Sequence, residues 1–421
     1  MATLPVIIYS TYDVPRLRYI AGLILGEILG LKWQVVTDKR KLGKNPVINY
    51  SGEIIRNAFK VKPVPLLFEK EIRKQEISVI RWNNLPVFFS TETGSDFPFD
   101  IFAASFFLVT RYEEYLDQVA DENGGFKASS SVAFENGFLQ VPVIDLWIRE
   151  FARAILKKFQ ILTFKQNQYR ALLTIDADQP LESQSIFESI GVLLDFKKKD
   201  TARTVGKDHQ DRFNYIIESI ETYRSDARFF FAVGNNSRYD KNPSWKNEKY
   251  RLLINNIAGK YETGLNPSFN ASSNFSVMSG EVMKLKKILS RDVTSGRLHY
   301  VKSSFPDFYR NILKAGITSE FSMGYHDEPG FRAGLAQPFY FFDVSADECT
   351  GLRVVPFQFS DNLFTKFRNL QTTDIILKLI QETRKAGGLF VSTWHNSSLA
   401  GREEMKDRRE VFEFMLKNQA P

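Results

Sequence analysis

A parallel α/β fold is what this 421-residue sequence predicts for its longer, C-terminal part. Three observations carry that expectation. Past residue 165, apolar strand-like runs alternate with helical patterns, the rhythm of βαβ units rather than of hairpins. The chain is too long for one ordinary core, so two domains are the default. The strand-like runs also end on polar residues: Asp176 and Asp178, Asn235 and Asn236, Asn266 and Ser268, Ser360 and Asp361, then His395 and Asn396. His299 lies inside its strand, near the same end. In a β/α barrel, residues at that rim converge on one site however far apart they lie in sequence.

The elements follow in order. Val6 to Tyr9 reads as a strand, and Pro15 to about Gly30 as an amphipathic helix that Gly30 stops. From Phe97 to Leu116 runs a Phe-rich segment with Asp100 as N-cap; its apolar positions go all round, which predicts a buried helix. Arg111, Glu113 and Glu114 at its end read as an ion-pair network that docks this helix. A further helix spans Ile144 to about Phe159. The polar stretch Lys165-Gln166-Asn167-Gln168 marks the boundary between residues 1–165, a smaller α/β domain, and residues 166–421. The later strands are Arg170–Ile175, Arg228–Val233, Tyr261–Leu265, Arg297–Val301, Ile317–Ser322, Arg353–Phe359 and Leu389–Trp394. Between them lie helices over Val282, Leu285, Ile288 and Leu289 (with Ser279 as cap), over Thr373 to Ala386 with Gly387-Gly388 as stop, and over Arg402 to about Asn418. No solenoid or propeller period stands out.

Composition narrows the class of function. Hydrophobic content of 43% and charged content of 25% are those of a soluble globular chain, and 37 Phe point to aromatic-rich cores. The net charge of +7 comes from 56 basic and 49 acidic residues, with no pure Lys/Arg run longer than three, so no nucleic-acid partner is expected. The single Cys349 excludes an internal disulfide framework. Met1 to Pro5 lacks a basic start, and Ala21 to Leu31 is interrupted by Glu27 and falls short of the ~20 residues of a membrane span. A cytoplasmic protein without a membrane span is the expectation.

Alternate residues of a strand share a face, so Asp176 and Asp178 project side by side. Two like charges that close require a cation, a shared proton or full hydration. With Arg111 to Tyr115, Gly264-Leu265-Asn266-Pro267-Ser268, Gly330-Phe331-Arg332-Ala333-Gly334 and Trp394-His395-Asn396-Ser397, the chain resembles the polysaccharide deacetylase family, the NodB-homology group of carbohydrate esterases. It is most similar to a bacterial branch with an extra N-terminal domain. The resemblance covers nearly the whole chain and implies a distorted seven-stranded (β/α) barrel preceded by the smaller α/β domain.

Carried over residue by residue, the resemblance makes Asp176 the general base and Asp178 a metal ligand, with Arg297 orienting the base and His395 protonating the leaving group. Arg332 goes to substrate or loop positioning, and Ser268, Asn270, Trp394 and Asn396 to the substrate side. A divalent cation there would offset the carboxylate repulsion and polarise the acetyl carbonyl.

The chain departs from the family at the metal. Asn266 stands where the branch has a histidine, Asn270 stands four residues on at the second histidine position, and Gln179 replaces a histidine after the Asp pair. An amide oxygen is a weak, neutral ligand for zinc, and one Asp with amides is a poor site for magnesium or calcium. His299 is a candidate imidazole; His326 reads as a surface residue. The resemblance therefore implies a divalent metal, zinc or another, held weakly or not at all. Two functions follow: metal-assisted hydrolysis of an acetyl group from a sugar, or a catalytically inactive family member that binds a glycan or a partner protein through the same cleft. A third assigns the function to the N-terminal domain, with the barrel as scaffold.

Overall fold

The computed structural model describes residues 4–91, 93–116, 126–177, 211–238, 240, 242–298, 305–399 and 406–420. Asp178, Gln179, His299 and the ends of the strand expected at 297–301 and the helix expected from Arg402 lie outside them.

Strand β1 (Val6–Ser10) is branched and aromatic in sequence and buried throughout, as a central parallel strand is. It pairs in parallel with β2 (Trp33–Val36) and β3 (Val47–Tyr50), and β4 (Phe59–Lys60) completes a four-stranded sheet of order β2-β1-β3-β4. Pro15 opens α1 (Pro15–Ala21) at the first helical position, where a missing N–H is harmless. The helix then widens into a π-helical stretch, Gly22–Ile28, and ends at Gly30, whose φ of +70° suits glycine. A hairpin, β5 (Ile80–Trp82) and β6 (Leu85–Val87), precedes α2 (Ile101–Val109). Asp100 caps α2 by accepting from the Ala103 N–H at 3.0 Å, and all nine residues of the helix are buried. Helices α3 (Val132–Glu135) and α4 (Val143–Lys158) follow.

Among the described residues the second sheet has nine strands: β7 (Arg170–Ala177), β8 (Ala227–Phe231), β9 (Glu262–Leu265), β10 (Ser295–Gly296), β11 (Ser319–Glu320), β12 (Phe339–Asp343), β13 (Glu348–Val354), β14 (Phe359–Ser360) and β15 (Leu389–His395). Their order is β12-β13-β11-β10-β9-β8-β7-β15-β14, and every pairing is parallel except that of β12 with β13. Helices α5 (Asp211–Tyr223), α6 (Glu248–Ala258), α7 (Phe275–Leu289) and α8 (Asp307–Lys314) alternate with strands β7 to β11. Strands β11 to β14 follow one another without an α-helix between them, and α9 (Asn369–Ala386) and α10 (Lys406–Gln419) flank β15. Several boundaries differ from the sequence reading: the segment from Phe97 to Leu116 is α-helical only over Ile101–Val109, the strand expected at Arg353–Phe359 is divided between β13 and β14, and β12 is not among the expected strands. Helix α7 starts under an Asn274 cap, which accepts from the Val277 N–H at 3.2 Å, so Ser279 is interior; buried Met278 extends the apolar face back past it. The paired part of β10 ends at Gly296, just before Arg297.

The sheet curls. The run 348–360 is bonded to β11 through Val355 N–H to Glu320 O (2.8 Å), and to β15 through Gln358 N–H to Val391 O (3.0 Å). One stretch of chain thus bonds to β11 and to β15, which stand five places apart in the pairing order. Inside the curl, Phe230, Phe321, Val355, Phe357 and Val391 form a small core of their own, with Leu172 and Leu389 against it. The outward residues of the same strands, such as Leu173, Ile175, Phe229 and Phe231, join the large core shared with the N-terminal half. Gly264 of β9 sits beside the inward Phe230 ring, where a Cβ would come within 2.7 Å of that ring and of Ser295 O. Gly264→Ala is therefore expected to lower stability by about 1–3 kcal/mol through overpacking, read as a reduced urea midpoint.

The N-terminal half is fastened to the second sheet by the expected ion-pair network. Arg111 is fully buried at a left-handed φ of 55° and bonds Glu113 (2.7 Å), Glu114 (2.7 Å), the Tyr325 hydroxyl (3.0 Å) and the Arg332 carbonyl. Glu114 takes Arg332 in a two-pronged pair at 3.0 and 2.7 Å. Among the described residues, no helix is long and apolar enough to cross a membrane.

Candidate acid–base site at the strand ends

Strands β7 and β15 pair in register, which sets Asp176 opposite His395. Leu172, Thr174 and Asp176 alternate onto the inner face of β7, as Leu389, Val391, Thr393 and His395 do on β15. His395 Nε2 lies 3.8 Å from Asp176 Oδ2. Asp176 is 1% exposed and His395 8%, so approach is from the imidazole side.

Arg297 reaches this pair from the end of β10. Its Nε lies 3.4 Å from Asp176 Oδ2, and its two terminal nitrogens donate to the hydroxyls of Thr174 and Thr393. In a flat sheet β10 would stand three strand spacings from β7 and four from β15, about 14 and 19 Å. A single side chain spans neither, so the contact exists because the sheet closes on itself. The guanidinium is sandwiched near the Phe230 and Phe357 rings, at 5.8 and 5.1 Å. Burial pulls its pKa below the ordinary arginine value, against the pull of Asp176, Glu320 and Asp361.

His395 is oriented by Asp361, the first residue after β14. The Asp361 carboxylate accepts from the His395 backbone N–H at 2.8 Å and lies 2.7 Å from Nδ1. Burial alone would push the Asp361 carboxyl up; His395, by charge and hydrogen bonds, and the Ser398 hydroxyl together hold it below the usual carboxylate value. An ionised Asp361 fixes the proton on Nδ1 and turns Nε2 towards Asp176.

Glu320, at the end of β11, is a further titratable group here. It is fully buried, accepts from the Ser322 N–H at 2.5 Å, and has Oε2 without a partner. Burial lifts its pKa to about 7, against the Ser322 bonds and the charges of Arg297 and Arg332.

The remaining residues that the sequence singled out fall into two groups. Asn266 and Asn396 are each 1% exposed, with both side-chain polar atoms unpaired. Asn270 is exposed in the turn that follows. Ser268 is held by Glu281, which accepts from its N–H at 2.9 Å and from its hydroxyl at 2.5 Å. Arg332 is committed to Glu114 and to the Gly324 carbonyl at 3.0 Å, which makes it a clamp between the two halves rather than a substrate contact. Trp394 is a correction. It lies on the outer face of β15, packed against Phe359, Phe364 and Phe412 with its N–H directed at the Met415 sulfur, because its neighbours Thr393 and His395 occupy the inner face.

Of the donor set implied by the resemblance, Asp178 and His299 lie outside the described residues, and the two amides that stand at the histidine positions suit zinc poorly. Asn266 offers a neutral amide, Asn270 is exposed, and among the described residues no three His, Cys, Asp or Glu gather as metal ligands do.

Residues 6–160 match a family of unknown function, DUF7033. A comparison with curated proteins finds no match. Among solved structures, the chain is similar to a probable polysaccharide deacetylase from Pseudomonas aeruginosa PAO1 (11% identity, 60% of this chain and 84% of that one, TM-score 0.38). It is similar also to a polysaccharide deacetylase from Bacillus cereus (8% identity, 60% and 87%, TM-score 0.28). A third is a CE4 family pseudoenzyme from Bacillus anthracis (12% identity, 61% and 63%, TM-score 0.30). At these values the likeness decides nothing about chemistry.

Proposed function

We propose that the rim site hydrolyses an acetyl group from a sugar, in the manner of a polysaccharide deacetylase, with Asp176 as base and His395 as acid. The observation that carries this is the pair of dyads on adjacent strands, Asp176 with Arg297 and His395 with Asp361, whose working atoms stand 3.8 Å apart. The reading takes the curled sheet as a distorted seven-stranded barrel, counting 348–360 as one strand, and residues 1–165 as a separate domain of the same cytoplasmic chain.

Arg297 keeps a positive charge beside Asp176, so the carboxylate is available to take a proton from water. As that proton moves to Asp176, the water oxygen bonds to the acetyl carbon and the carbonyl electron pair moves to oxygen. Collapse of the adduct breaks the bond to the sugar nitrogen or oxygen. His395, carrying a proton on Nε2 between Asp176 and Asp361, delivers it to that leaving atom. The products are acetate and the free amine or hydroxyl.

The second reading, an inactive relative that binds a glycan or partner protein, is favoured by the amide at Asn266 and the exposure of Asn270. Acetate release from N- and O-acetylated oligosaccharides separates the two. Under the enzyme reading, His395→Gln lowers the rate by about 10²–10⁴-fold with little change in oligosaccharide affinity. Binding without acetate release leaves the second reading standing.

A further inference from the structure

We infer that Asn266 contacts the sugar directly, through vicinal hydroxyls, so that the site engages its ligand without a metal at this position. The inference rests on the carbohydrate reading above but not on hydrolysis.

Asn266 continues the ladder beyond β9: its N–H donates to Phe231 O at 2.9 Å, and Arg297 N–H donates to Leu265 O beside it. Its side chain shares the inner face with Gly264, which abuts the inward ring of Phe230. In register, Asp176, Phe230 and Gly264 form one level across β7, β8 and β9. Asn266 therefore stands one level nearer the rim than Asp176, on the same face. That is the position from which a ligand resting above the acid–base pair is met.

Both polar atoms of the Asn266 side chain are buried and lack a hydrogen-bond partner, as does Oδ1 of Asp176. Buried polar groups are nearly always paired, and an orphaned amide destabilises the fold that carries it. A residue retained only for packing would be better served by leucine, of similar volume and with nothing to satisfy. The amide has one acceptor and two donor hydrogens, and each hydroxyl of a sugar both donates and accepts. One hydroxyl can take a hydrogen from Nδ2 while its neighbour gives one to Oδ1. A divalent cation would use only the oxygen and leave the NH₂ group orphaned, so the whole side chain matches a hydroxylated ligand better than a metal.

The experiment is isothermal titration of the full-length protein in EDTA with chitotetraose, its deacetylated counterpart, cellotetraose and xylotetraose, alongside thermal unfolding. The expected result is EDTA-insensitive binding to at least one of the four. Asn266→Leu weakens that binding about tenfold or more while raising the melting temperature. Asn266→Ala, weakened likewise, decides the case if the leucine variant does not fold. Binding to none of the four, binding that EDTA abolishes, or unchanged affinity in the variants overturns the inference. A variant that loses affinity because its melting temperature has fallen also overturns it, since Asn266 is then a structural residue. Affinity that depends on Asn266 in a protein releasing no acetate upholds this inference and removes the hydrolase reading. Acetate release with unchanged affinity in Asn266→Leu does the reverse.

Discussion

Arg297→Met is expected to destabilise the fold by about 3–5 kcal/mol at neutral pH, the range for breaking one side of a buried ion pair. Methionine keeps most of the volume between the Phe230 and Phe357 rings, so the loss is of charge and donors rather than packing. What remains is Asp176, 1% exposed, with no counter-ion at 3.4 Å and with the hydroxyls of Thr174 and Thr393 relieved of their partner. Arg297→Lys does not repair this, since an ammonium cannot donate to Thr174, Thr393 and Asp176 from one fixed fork. Adding Asp176→Leu should recover most of the loss by removing the stranded charge. Urea unfolding of the two single variants and the double variant measures the coupling as a non-additive term. A single variant within about 1 kcal/mol of wild type, with no recovery in the double, would show that the pair is not coupled.

The same contacts explain which parts of the site a reader of the sequence could find. Asp176 and His395 are legible because each terminates a hydrophobic strand, and a parallel sheet brings all such ends to one rim. Arg297 reads as the first residue of a strand and takes its role from the resemblance alone; its partners on β7 and β15 depend on the closure of the sheet, which no local pattern encodes. Asp361 follows a two-residue strand, and its hold on His395 arises from the pairing of β14 with β15. Glu320 carried one signal, a carboxylate within an otherwise strand-like run, and its role depends on Arg297 and Ser322. Trp394 misled because a sequence motif treats neighbours as one cluster, whereas a strand sends them to opposite faces. Ser268 and Arg332 are claimed by Glu281 and Glu114, partners 13 and 218 positions away. In the N-terminal part β1, the start of α1 and α2 were legible for the opposite reason, since the proline start, the Asp100 cap and the all-round apolar helix are signals local to the chain, whereas the short strands β2 to β6 were not read.

Acidification from about pH 8 to about pH 5 is expected to stabilise the fold, the reverse of the usual loss of ionised carboxylates. The three buried acids with the largest upward shifts set this direction, and burial also raises Glu113 and Glu281, which adds to it. Burial raises Glu320 and Asp145 to about 7 and Asp100 to about 6, from ordinary values of 4.5, 3.8 and 3.8. Hydrogen bonds from Ser322, from Ala336, and from Ala103, Tyr50 and Val64 oppose burial in each case without cancelling it. Between about pH 4.5 and 7 the folded chain therefore holds protons that the unfolded chain has released. Unfolding then sheds protons, so stability falls as pH rises through that window and levels off above it. Each group is worth about 1.4 kcal/mol per pH unit while only its folded form is protonated, so the three together amount to several kcal/mol. Below about pH 4.5 the trend reverses, because Glu114 and Asp361 are held low in the fold and their contribution is lost as they protonate. The measurement is urea unfolding at half-unit pH steps from 4 to 8. Asp145→Asn refines it. Asparagine mimics the protonated acid and can still accept from the Ala336 N–H, which Asp145 does at 2.7 Å. The variant should be more stable than wild type near pH 8, equal to it near pH 5, and shallower in slope between. A midpoint that is flat or falls on acidification from pH 8 to 5 would mean that these carboxyls stay ionised in the fold and draw hydration or partners beyond those described.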